Sequence, residues 1–169
     1  MSDLLQRHYL ACPYQRARTY LEESLRSAAS SNQPQLLRLR VPIRIGNAQT
    51  GDLEKEVTVT YGEGVDPMHF DQPWTVQWSP VGGGPYPDFE GTLTVRADED
   101  YTSSVLELQG TYQPPLGIAG AAFDAVAGSR IASATAREFL ATVGRNIEER
   151  FKSDEAAKGE KPHVESKQD

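Results

Sequence analysis

The chain has 169 residues, 38% of them hydrophobic and 24% charged, and a formal net charge of -7; this is the composition of one soluble globular domain long enough to bury a core. The acidic balance and the lack of a basic run exclude phosphate-driven nucleic-acid binding, which draws its affinity from Lys and Arg, and no apolar run approaches the roughly 18 residues of a bilayer span. Cys12 is the one cysteine, so no internal disulfide is available, and MSDLLQRHYL has no charged and then apolar leader, so a cytoplasmic protein without stable membrane insertion is expected.

The first element, LLQRHYLA at 4–11, has the apolar and aromatic content of a strand, with apolar residues on both alternating faces. In CPYQRARTYLEESLRSAA, Pro13 suits a helix start because its missing N–H would have no intrahelical partner there. Tyr14, Ala17, Tyr20 or Leu21, Leu25 and Ala28 then recur at helical spacing, with Arg16, Glu22, Glu23 and Arg26 mostly opposite. QLLRLRVPIRIG alternates Leu37, Leu39, Val41, Ile43 and Ile45 with Arg38, Arg40, Pro42 and Arg44, the period of two that buries one strand face. Pro42 cannot donate to a ladder, which predicts an edge or a bulge. After the link GNAQTGD, LEKEVTVTYG alternates Leu53, Val57, Val59 and Tyr61 with Glu54, Glu56, Thr58 and Thr60. A hairpin of these two runs sets Arg40 and Arg44 on the outer face with Glu54 and Glu56. PWTVQWS, FEGTLTVRA and TSSVLELQGTY supply three further strands, with Trp74, Val76, Trp78, Phe89, Leu93, Val95, Leu106, Leu108 and Tyr112 on the apolar side and ADEDY as a turn. The five consecutive strands predict an antiparallel meander with one wet and one dry face.

From 117 the period becomes 3.6. A small apolar stretch, 117–127, is followed at Gly128 by a break or bend and then by a longer helix over 129–151. Its stripe is Ile131 or Ala132, Ala136, Phe139 or Leu140, Val143, Ile147 and Phe151. The polar segment 152–169 is expected to be a disordered charged tail, which leaves one domain over 1–151.

Strand, helix, five strands and a long helix make a two-layer α+β domain. The order resembles the helix-grip fold of the START-like superfamily, which includes the birch-pollen allergen and the polyketide cyclase/dehydrase group. YLACPYQRARTYL is similar to the alanine-proline entry into the first helix of these families, and GTYQPPLGIAGAAFDAVAGSRIASATAREFLATVGRNIEERF resembles their Tyr-x-Pro, Gly-rich link and Ala-rich C-terminal helix. The resemblance implies a curved antiparallel sheet around the C-terminal helix, with a cavity between them for a small hydrophobic molecule. The cavity-lining candidates are then His8, Tyr61, Trp74, Val76, Trp78, Phe89, Tyr112, Phe123, Val126 and Phe139. Pro114, Pro115 and the small residues from Gly117 to Ala122 would let the helix pass close beneath the sheet.

No compact acid-base constellation is legible. His69 lies between Asp66 and Asp71 without a second His or Cys nearby, so no metal is expected, and VGGGPYP lacks the Lys-Ser or Lys-Thr of a phosphate loop. Cys12 at a helix start reads as a small buried thiol, and Asp124 as a cap or a partner of Arg130. The expected function is therefore cofactor-free binding of a lipid, a polyketide or a similar molecule. A cyclase or dehydratase using His8, Tyr61, Tyr112 or Asp124, and an interaction module with a filled interior, are the alternatives.

Overall fold

The computed structural model describes residues 2–30, 34–45, 48–64, 73–83, 87–113 and 125–159, with the side chains of 41–53 and 125–127 left aside. The elements are β1 (Ser2–Leu10), α1 (Tyr14–Ser30), β2 (Gln35–Ile45), β3 (Ala48–Glu63), β4 (Trp74–Pro80), β5 (Asp88–Ala97), β6 (Ser104–Gln113) and α2 (Ala125–Gly159). All strands are antiparallel in one six-stranded sheet of order β1-β6-β5-β4-β3-β2. The two N-terminal strands are thus its opposite edges, and α1 carries the chain between them. The sheet curls around α2, so the domain is an α+β helix-grip fold.

The alternating strands take the faces that their sequences predict. Leu39, Val57, Val59, Trp74, Val76, Trp78, Phe89, Leu93, Val95, Leu106, Leu108 and Tyr112 are all buried on the concave side. β1, whose sequence is apolar on both faces, turns Leu4 and Leu10 inward and leaves Leu5 and Tyr9 exposed. Pro42 sits on an edge strand, and the register shifts between Pro42 and Arg44. β3 begins at Ala48, opposite Ile45, so most of the stretch expected as a link is strand. On the outer face Arg38 pairs with Glu56 at 3.0 Å and Arg40 with Glu54 at 3.3 Å, each pair directly opposed in register.

α1 buries Tyr14, Ala17, Tyr20, Leu21, Leu25 and Ala28, the stripe that its spacing predicts. α2 differs from expectation at both ends. It passes through Gly128 without a break, because the backbone ladder of a helix requires no side chain there. It also continues to Gly159, through residues assigned by composition to the tail. Contacts with α1 hold these last turns: the Tyr20 hydroxyl donates to Asp154 Oδ2 at 2.6 Å, and Arg16 lies 3.5 Å from Glu155. Arg150 stands 4.6 Å over the Tyr20 ring and pairs with Glu23. Among the described residues, no helix is long and apolar enough to cross a membrane.

Candidate functional site

The concave face carries a transverse row of large side chains. Val59 on β3 faces Trp78 on β4, Trp78 faces Phe89 on β5, and Phe89 faces Tyr112 on β6. Directly opposed positions share a sheet face, so these four project together toward α2. The Trp78 and Phe89 rings stack with centroids 4.1 Å apart, and Phe139 of α2 meets the other side of the cluster, 5.3 Å from Trp78.

The adjacent row explains why the rings can lie so close to the sheet. Val76 faces Gly91, and Gly91 faces Gly110. A Cβ on Gly91 would overlap the Gln109 carbonyl oxygen and stand 2.6 Å from Phe89 Cζ. Two opposed glycines therefore let the strands approach and let the Phe89 ring fold over the bare backbone.

Polar groups are few on this face among the described residues. Trp78 is 2% exposed, and its Nε1–H is buried with no hydrogen-bond acceptor among the described residues. Tyr61, half-buried on β3, has its phenol pushed up to about 12 by burial; it stays protonated and can donate. His8 faces inward at a different place, with its imidazole against Gly144 of α2, where an added Cβ would come within 2.7 Å of the ring. Gly144 is the opening in the helix surface that admits the ring.

Of the candidates read from the sequence, Trp78, Phe89 and Phe139 form one aromatic cluster, with Tyr112 next in its row. Trp74 and Val76 continue the same face of β4, Tyr61 stands opposite Val76, and His8 lies apart. Phe123 lies outside the described residues, as does the side chain of Val126. So do His69 with its flanking aspartates, Asp124, and the proline and glycine passage from Pro114 to Ala122. The first part of the VGGG run is described, and Gly82 and Gly83 there have φ of 71° and 70°. Cys12 is fully buried, and desolvation raises its thiol to about 11, the opposite of an activated thiolate.

Sequence reasoning missed Lys55. It stands directly opposite Leu39 and two residues before Val57, which makes it an inward position of β3, and it is half-buried. The signal was present in LEKEVTVTY, where the period of two groups Lys55 with Val57, Val59 and Tyr61. It was hidden because a lysine between two glutamates looks like one more member of a charged outer face. Also missed was Glu107, only 5% exposed although it projects from the convex face. Arg7 on β1 and Arg96 on β5 clamp its carboxylate at 2.7 and 3.0 Å. This ties three strands together and leaves the group no free oxygen for chemistry. A depression of about 210 Å3 is lined by the outward residues Gln77, Ser79, Asp88, Glu90, Thr111 and Gln113 together with Trp78 and Phe89.

Comparison with solved structures finds distant similarities. TTHA0849 from Thermus thermophilus is 12% identical, with a TM-score of 0.46 over 86% of this chain and 97% of that one. Ara h 8.0201 is 11% identical, with a TM-score of 0.46 over 90% and 98% of the two chains. No family model matches this chain, and no curated protein does.

Proposed function

We propose that this protein binds a small, largely apolar molecule between the concave face of the sheet and α2, against the aromatic row Trp78, Phe89 and Tyr112. The observation that carries this reading is the indole N–H of Trp78, buried without an acceptor among the described residues. An unmade buried hydrogen bond costs about 1–3 kcal/mol, and folded proteins keep few of them. An acceptor on a bound molecule, a carbonyl or a hydroxyl oxygen, would remove that cost. Aromatic walls with a few isolated polar atoms are the usual lining of such sites. Tyr61 adds a second donor, and its raised pKa suits it to hold a ligand rather than to exchange protons near neutrality.

Native mass spectrometry of freshly purified protein tests the reading, with an added mass that disappears on denaturation as the expected result. The indole resonances provide the second measurement, since the chain has only Trp74 and Trp78. Saturable binding of an apolar compound should shift the Trp78 N–H signal and slow its exchange. If no mass is carried and the Trp78 signal is unmoved by a panel of apolar carbonyl compounds, the reading fails.

A further inference from the structure

We infer that the molecule bound in the interior carries one carboxylate and that Lys55 holds it; this rests on the interior-binding reading above. Lys55 shares the concave face with Leu39, Val57 and Val59, all fully buried. The neighbouring glutamates do not serve it. Glu54 and Glu56 alternate to the convex side, where they are engaged by Arg40 and Arg38. Among the described residues Lys55 has no hydrogen bond or ion pair. The arginines described on β2 each have a glutamate partner, so the inward lysine is the exception among the cations described on this hairpin.

Its position along the strand suits a headgroup. The ladder between β3 and β4 ends at the pair Val57 and Pro80, so Lys55 stands one inward position beyond the last residue that β4 covers. Val59, the neighbour of Trp78, lies four positions further along, a span of about 13 Å on an extended strand. The face therefore runs from a cation at the edge of the covered region, over Leu39 and Val57, to the aromatic cluster. An apolar body with an anionic end has this polarity. The lysine stem would lie on the apolar wall with its ammonium at the rim. There, with part of the surrounding water excluded, a carboxylate gains a charge-assisted hydrogen bond that is stronger than in open solvent.

The experiment compares dodecanoate with methyl dodecanoate and 2-naphthoate with methyl 2-naphthoate, titrated into the full chain and followed by tryptophan fluorescence. The two pairs separate a chain-shaped from a ring-shaped body, and within each pair the ester removes the charge and adds one methyl group. The wild-type protein should bind at least one acid about tenfold more tightly than its ester, the effect of one charge-assisted contact. Lys55→Met should abolish that preference by weakening the acid and leaving the ester unchanged, and Lys55→Arg should retain it. Thermal unfolding of both variants checks that the fold is intact. Equal affinity for acid and ester, or a preference that survives Lys55→Met, overturns the assignment to Lys55 and leaves the interior-binding reading standing. Failure of all the compounds to bind the wild type overturns the interior-binding reading and the carboxylate with it.

Discussion

Cys12 shows how strongly position governs a single side chain here. It lies at the junction of β1 and α1, and Ser104 of β6 donates its hydroxyl to the Cys12 carbonyl at 2.9 Å, which seals the turn against the sheet. Burial is the largest influence on the thiol and raises it from 9.0 to about 11, while Arg16 acts in the opposite sense. The nucleophile is the thiolate, so iodoacetamide should label the native protein at neutral pH far more slowly than the unfolded chain; labelling at equal rates would contradict this. The same shift has a consequence for stability. Between pH 9 and 11 the unfolded chain gives up the Cys12 proton and the folded chain keeps it, so stability present below pH 9 should decline across that window. Cys12→Ala should make the decline in urea-unfolding midpoint shallower there. Tyr61, raised from 10.0 to about 12, should continue the loss at higher pH in both proteins. Lys55 teaches a different lesson at this scale. Its residue type and its neighbours suggest solvent, and only its place in the period of two assigns it to the interior.

At the scale of elements, the helices owe their extent to each other more than to their own sequences. α1 has no acidic residue in its first turn and no basic one in its last, so the macrodipole is not offset by its own charges. Its apolar stripe supplies the burial that holds it. The final turns of α2 are polar and would fray in isolation. Tyr20 gives them an anchor: its hydroxyl meets Asp154 while Arg16 and Arg150 flank its ring at 5.6 and 4.6 Å. Tyr20→Phe keeps the ring and removes the hydroxyl. Amide exchange should then become several-fold faster in residues 152–159, with residues 132–147 unchanged, because the latter are secured by Ala136, Phe139, Leu140 and Ile147 in the core. Equal protection at both ends in the variant would show that the hydrogen bond does not hold the helix end.

For the whole molecule, the deciding feature is the curl that brings a sheet around α2. Gly91 and Gly110 lie opposite each other near the middle of the sheet, on the rows between the edge strands. Alanine at Gly91 would press on the Gln109 backbone and displace the Phe89 ring, and with it the Trp78 stack. Overpacking of this kind typically costs about 1–3 kcal/mol, so Gly91→Ala should lower the urea midpoint and alter tryptophan fluorescence, and an unchanged midpoint would show that the close approach of these strands does not need glycine there. Much of this architecture was legible beforehand. Periods of 2 and 3.6 mark which residues of β2 to β6 and of α1 must leave water, because burial acts on apolar area wherever it recurs on one face. They also mark Trp74, Val76, Trp78, Phe89 and Tyr112 as companions on one side of a sheet. The sequence by itself thus determined the order of elements, the buried faces of β2 to β6 and of α1, and an edge or a bulge at Pro42. Only the tertiary structure decided which face of β1 turns inward, that α2 runs unbroken through Gly128 to Gly159, that Glu107 is clamped between two arginines, and that the Trp78 N–H is enclosed without an acceptor among the described residues. Each of these depends on what a distant segment brings alongside, and no local period records that.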